Sequence, residues 1–396
     1  MTTRAQQTLR RPTVSAADRA HLQHCFQRLC RVPSPSTEER DCARLVRAEL
    51  EALGVVVSED DTTSQTGSNV GNLLARIPAS VGSGSEHPAL LLCAHLDTVP
   101  LQAPLEPVLL EGFWENSGEG ILGADNKAAV AVILTLARKL LSDGSPVDLE
   151  LLFTVCEERS LAGARAFDTD ALLSDFGYVF DHASPIGELV TASPGHFRLQ
   201  AYFRGAAAHA GIRPQDGRSA ILAAANAIAN MPQGRLDEQS TVNVARIDGG
   251  TAINVVPEHC RLEAEVRSLS DQRAEAITEE LVGVMQEAAN IPECQCDLEI
   301  SVERTFAGYS TRAGEPALEL AHAALRRCGY EPVEIASGGA SDANALITAG
   351  FPVLNIANET QHNHEPCERV SAEALQSMLD VALALIDCAA SEPSSR

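Results

Sequence analysis

The 396-residue chain has no apolar run of the ~18 residues that a spanning helix needs, which excludes an integral helical membrane protein. Basic residues are scarce. With 30 Lys and Arg against 54 Asp and Glu, the formal charge is −24. A field of that sign repels phosphate backbones and argues against nucleic-acid binding. The sequence has no Cys-x-x-Cys pair, no secretory apolar segment near its start, and an odd number of cysteines, 11. That usage predicts reduced thiols and a cytoplasmic location rather than a disulfide framework. No internal repeat is evident.

What is present is ordinary for a soluble globular protein: 45% apolar and 21% charged residues. The length predicts two domains. Met1 to Val14 and Ser391 to Arg396 read as tails, and Ser80 to Ser85 as a flexible loop. Capping boxes are expected at Ser15–Asp18 and at Ser36–Glu39, each opening a helix. The continuous apolar run Leu90–Ala94 predicts a strand buried on both faces, Leu149–Val155 reads as another buried strand, and shorter strands are expected at Tyr178–Phe180 and Pro352–Ile356. Helical periodicity over Ala124–Leu141, Pro316–Arg327 and Ser371–Ile386 completes an α/β pattern.

Residues 194–306 read differently. Phe197, Leu199, Ala201 and Phe203 alternate with polar residues, as in a strand with one wet face. Helix Ser219–Asn230, strands Thr241–Ile247 and Cys260–Ser268, helix Asp271–Ala289 and strand Asp297–Glu303 follow. The order β-α-β-β-α-β is ferredoxin-like. The expected organisation is a catalytic α/β domain in two parts, 15–193 and 307–390, with a second domain inserted over 194–306.

Acidic and histidine residues gather where predicted strands end. His95 and Asp97 follow the first buried strand, Asp125 opens a helix, and Glu157 and Glu158 follow the second strand. Asp181 follows the third, and His364 lies downstream of the fourth. Ligands in open α/β sheets bind at the carboxyl ends of the strands, so these side chains are expected to converge. Clustered carboxylates repel one another unless cations compensate. Mixed imidazole and carboxylate donors suit zinc, and also manganese or cobalt. The surplus of donors over the three that one catalytic ion needs predicts two ions sharing a bridging carboxylate. Alternate residues of an extended segment share a face, so Asp97 could fix the tautomer of His95. One of Glu157 and Glu158 is expected to bind metal and the other to take a proton. Each item also has a plain reading: a surface pair for His95 and Asp97, an N-cap for Asp125, solvated carboxylates at Glu157 and Glu158, and a turn at Asp181.

Taken in order, Ala94–Pro100, Gly123–Ala128, Cys156–Glu158, Asp181, Gly205–Gly211, Asn254–Pro257, Arg267, Gly339–Asn344 and His364–Glu368 resemble the motifs of the M20 metallopeptidases, nearest to peptidase T. The resemblance runs over roughly residues 20–390. It implies a zinc-peptidase-like α/β catalytic domain carrying a ferredoxin-like lid and dimerisation domain. It implies one ion held by His95, Asp125 and Asp181 and a second by Asp125, Glu158 and His364. Glu157 would be the general base, and Asp97 would orient His95. His209 would reach the substrate carbonyl, often in the partner subunit's site. Asn254 and Arg267 would hold the substrate's backbone or carboxylate. Two departures stand out. Asn126 occupies the place of an expected second Asp, and His362 lies two residues before His364, with the Pro-x-Glu after His364 favouring the latter. The implied activity is hydrolysis of short peptides by a homodimer in the cytoplasm, without nucleic acid or membrane as partner. An N-acyl amino acid deacylase or carboxypeptidase, and a catalytically silent dimeric binding protein, are the alternative expectations.

Overall fold

The computed structural model describes residues 14–80 and 87–392. The two expected tails and the loop at Ser80–Ser85 fall almost wholly outside the described residues. The chain divides into two compact units. The first comprises residues 1–191, 311–336 and 341–396, and the second residues 192–310 and 337–340. Among the described residues, no helix is long and apolar enough to cross a membrane.

The first unit is built on a mixed sheet. Strands Leu149–Thr154, Leu90–His95, Phe176–His182 and Val353–Ala357 lie side by side and parallel. Antiparallel neighbours flank them: Leu73–Ile77 and Val57–Glu59 on one side, Glu188–Ser193 on the other. The Leu90 and Leu149 strands are buried along their whole length; the first is apolar up to His95, and in the second the buried Glu150 carboxylate pairs with Arg76 and accepts the amides of Leu173 and Ser174. Helix Ala124–Asp143 is buried from Ala124 to Ala137 and packs between helices Ala16–Cys30 and Ala372–Ala389. From Ala128 to Ala137 only Thr135 is polar, because almost no face of that stretch meets water.

Ser15 caps the Ala16–Cys30 helix through a reciprocal box with Asp18, as the sequence predicts. The second expected box does not form. Helix Arg40–Ala52 starts after Glu39, whose own side chain does not cap it; the Arg40 amide is accepted by the Asn69 side chain instead. Ser36 and Glu39 are recruited by buried partners instead. The Ser36 hydroxyl donates to Asp97, and the Glu39 carboxylate accepts from Ser68 and from the Cys156 amide.

In the second unit, the four long strands occur in the chain as Gly195–Arg204, Ser240–Gly249, His259–Ser268 and Asp297–Phe306. Numbered so, their order in the sheet is 2-3-1-4, with every neighbour antiparallel. This is the ferredoxin-like arrangement, extended by the two-residue strand Gly234–Arg235 at one edge. Helices Ala220–Asn230 and Asp271–Ala289 pack on each other and on the sheet, closing a core of Leu199, Phe203, Leu262, Val266, Ile277 and Leu281.

Candidate metal centre

All the candidate ligands of the first unit meet at the carboxyl ends of its parallel strands. His95 is the last residue of its strand, and Asp181 is the next-to-last residue of its own. Glu157 and Glu158 occupy a tight turn after the Leu149 strand, entered through Cys156 at a φ of 53°. Gly163 packs this turn back onto the strand. A Cβ there would lie 2.0 Å from the Val155 carbonyl oxygen. Asp125 opens the long buried helix, its peptide bond to Asn126 being cis.

Asp125 stands at the centre. Its Oδ1 lies 3.2 Å from Nε2 of His95, and its Oδ2 lies 3.3 Å from Nε2 of His364. The two oxygens of one carboxylate thus face two different histidines. His364 Nε2 is also 2.9 Å from Glu158, and His95 Nε2 is 3.8 Å from Asp181. Ligand atoms of His95, Asp125 and Asp181 lie within 4.8 Å of one another, and so do those of Asp125, Glu158 and His364. His95, Glu157 and Glu158 form a third such group. His362 turns away from all of them, toward Glu365.

The electrostatics are those of an anionic pocket. The ion-pair partners of Asp125, Asp181 and Glu158 are histidines. Burial, reinforced by Asp181, pushes the Glu157 carboxyl well above the usual range. Burial and the Asp125 charge push Asp181 up to about 7. Burial also raises Glu158, against the pull of His364. For Asp125 the two histidines outweigh burial and hold the carboxyl low. Hydrogen bonds to Asp125 and Glu158 raise His364 to about 10. Burial disfavours charge on His95, but Asp125, Asp181 and Asp97 together raise its pKa well above the ordinary value.

Asp97 does more than the sequence suggests, and does it differently. His95 Nδ1 lies 3.0 Å from the Asp97 carbonyl oxygen and 3.4 Å from its carboxylate, so the backbone makes the shorter contact. The carboxylate instead accepts the amides of Glu157 and Glu158, at 2.9 and 3.1 Å, together with the Ser36 hydroxyl. It therefore fixes the backbone of the turn that carries both glutamates.

Sequence reasoning missed other supports. Glu368 is buried and accepts the amides of Leu122, Gly123 and Asp125. The Asn363 side-chain amide donates to Asp125 Oδ2 at 2.9 Å. Asn355 brackets Asp181 by accepting its amide and donating to its carbonyl. Asp342 is buried and takes a 2.5 Å hydrogen bond from Thr154, and burial raises its carboxyl to about 6. Glu368 and Asp342 both lie inside motifs visible in the sequence, but a motif does not say which atoms its residues touch. Asn126 is fully buried, and neither polar atom of its side chain has a hydrogen-bond partner.

Within the second unit, His209 and Asn254 lie together. His209 bridges to Val255, and the Asn254 carbonyl accepts the Ala210 amide. Both side chains are exposed. Arg267 sits at the other end of the sheet, opposite His196 in register and paired with Glu265 at 3.2 Å.

Comparison with known proteins follows the same division. Residues 191–291 match the peptidase dimerisation domain of the M20 family, and residues 72–206 match peptidase family M28. "Uncharacterized protein YqjE" of Bacillus subtilis strain 168 is 32% identical over 366 residues, covering 92% of this chain and 97% of that protein. The aminopeptidase PepT structure from Bacillus cereus ATCC 10987 superposes with a TM-score of 0.83 at 33% identity, covering 94% of this chain and 99% of the other. A tripeptidase structure from Staphylococcus aureus Mu50 gives 0.87 at 28% identity over the same shares. The insert is thus of the dimerisation type, carried by a peptidase-like α/β unit, and the chain belongs to the M20 family of metallopeptidases, close to peptidase T.

Proposed function

We propose that this metal-dependent peptide hydrolase acts on short peptides, as an aminopeptidase or tripeptidase, with two divalent ions seated around Asp125. The observation that carries the reading is the double orientation of Asp125, one carboxylate oxygen toward His95 and the other toward His364. The donor set fits such ions: buried carboxylates raised by burial and mutual repulsion, faced by imidazoles, are stabilised by divalent charge. His95, Asp125 and Asp181 would hold one ion, and Asp125, Glu158 and His364 the other. Zinc suits these ligands, and manganese and cobalt suit them as well.

Held by these residues, divalent ions would supply Lewis-acid chemistry, polarising the scissile carbonyl and acidifying water. Glu157, adjacent to the ligand Glu158 and fixed through its amide by Asp97, takes the proton from the attacking water and returns it to the leaving amine. Asn355 and Asn363 keep Asp181 and Asp125 aimed at their positions.

His209, Asn254 and Arg267 would complete the site from the inserted unit, His209 by donating to the oxyanion. One unit cannot supply them all to one small substrate. His196 and Arg204 mark opposite ends of one strand, roughly 27 Å apart at 3.4 Å per residue, with Arg267 beside the first and the His209 loop beyond the second. A homodimer resolves this, one subunit contributing Arg267 and its partner His209 and Asn254. The silent-scaffold reading is disfavoured because every ligand position carries a competent side chain and they converge.

The test is an activity panel with zinc, manganese or cobalt added to ion-free protein. Tripeptides or dipeptides with a free N-terminus are expected to be cleaved faster than N-acetyl amino acids or C-terminal carboxypeptidase substrates. Preferential release of acetate from N-acetyl amino acids would establish a deacylase instead.

A further inference from the structure

We propose that His362, Glu365 and Cys367 form a separate, outward-facing site for a thiophilic divalent ion of the zinc class. Ligand atoms of the three residues lie within 4.8 Å of one another. Nδ1 of His362 is 3.6 Å from a Glu365 carboxylate oxygen, and the Cys367 thiol is 3.5 Å from that same oxygen. All three side chains are exposed, so an ion has open access.

The backbone holds this trio in place. His362 and His364 both adopt left-handed conformations, at φ of 57° and 68°. Their alternation sends His364 toward Asp125 while His362, Glu365 and Cys367 face outward. The Glu365 amide donates to the His362 carbonyl, and the Glu368 amide to the Glu365 carbonyl, each at 3.0 Å. The segment is pinned at both ends, by paired Gln361–Arg369 backbone bonds and by the buried Glu368 carboxylate. A ligand set fixed this way loses little conformational freedom on binding, and ordinary side-chain rotations bring the donors to metal-ligand distances.

The chemistry selects the ion. Imidazole, carboxylate and thiolate together favour zinc-like ions over magnesium or calcium, and three protein ligands leave one tetrahedral position for water. The inner carboxylate–histidine cluster contains no sulfur, and Cys367 is the single exposed cysteine of the eleven. Sulfur ligation therefore distinguishes the outer site from the inner one.

The experiment is a titration of ion-free, full-length, reduced protein with Co²⁺, followed by its absorption spectrum. A thiolate-to-cobalt charge-transfer band in the near ultraviolet is expected, displaced by Zn²⁺ and absent in Cys367→Ser. Because loss of even an outer supporting group costs about 10–100-fold in metal affinity, His362→Ala should shift the band's titration to at least about tenfold higher Co²⁺. Ions in the inner cluster give no such band, so the result is independent of the two-ion reading above. The proposal is overturned if the wild type shows no band at saturating Co²⁺, if Cys367→Ser retains it, or if His362→Ala titrates unchanged.

Discussion

Glu368 holds the turn that carries Asp125. One carboxylate oxygen accepts the Asp125 amide at 2.8 Å, and the other accepts those of Leu122 and Gly123 at 2.8 and 2.7 Å. Glu368 also ends the segment that carries His364, so one buried side chain ties together the two facing sides of the centre. In Glu368→Gln the amide oxygen can serve Leu122 and Gly123, but the NH₂ group then opposes the Asp125 amide. An unsatisfied buried donor costs about 1–3 kcal/mol, and the misplacement falls on Asp125, the residue proposed to be shared by both ions. We expect a folded variant whose affinity for Zn²⁺ or Mn²⁺ falls about 10–100-fold by isothermal titration calorimetry. Unchanged affinity would show that Glu368 supports the fold alone.

Glu157→Gln separates proton transfer from ion binding. The substitution removes the proposed base and leaves the proposed ligands in place. Turnover is expected to fall at least ~10³-fold with metal content unchanged. A variant that keeps near-normal turnover would displace Glu157 from the role of base.

Placement of His209 and Arg267 at opposite ends of one sheet predicts complementation. His209→Ala and Arg267→Ala homodimers should each be nearly inactive. Mixed by unfolding and refolding together, they should recover about a quarter of wild-type activity, since half of randomly formed C₂ dimers are heterodimers with one intact site. No recovery, with heterodimers demonstrated by mass spectrometry, would place both residues in the same subunit's site.

Glu265 reports on the inserted unit independently of the metal centre. A hydrogen bond from His196, aided by Arg267 against burial, holds its carboxyl at about 2, below its ordinary 4.5. Because the folded value is depressed, the stabilisation is complete above pH 4.5 and is lost as pH falls from 4.5 toward 2. The melting-temperature gap between wild type and Glu265→Gln should therefore be constant from pH 7 to about pH 5 and narrow steadily below that. A gap that widened on acidification would reverse the sign of the interaction.

The sequence made the carboxylate–histidine cluster visible because its residues follow predicted buried strands or open a helix. The buried Leu90–His95 strand, for example, ends abruptly in the buried His95. The ferredoxin-like insert was equally plain from alternation such as Phe197, Leu199, Ala201 and Phe203 against polar neighbours. The supports were not legible. Asp97 turned from the His95 ring toward the amides of Glu157 and Glu158, which lie sixty positions away in sequence. Glu368 reaches across 243 positions to the Asp125 amide. Ser36 resembled a helix cap, but the pull of the buried Asp97 carboxylate outweighed the local motif. Such long-range hydrogen bonds leave no periodic trace in the chain.

Crystallography of the zinc-loaded enzyme with anomalous scattering, for wild type and Asp125→Asn, decides whether Asp125 joins two ions. The wild type should show two zinc peaks about 3.5–4 Å apart with the Asp125 carboxylate between them, and Asp125→Asn should lose at least one of them. Zinc lying away from Asp125, or two peaks that persist undisturbed in Asp125→Asn, would contradict the bridging role on which the mechanism rests.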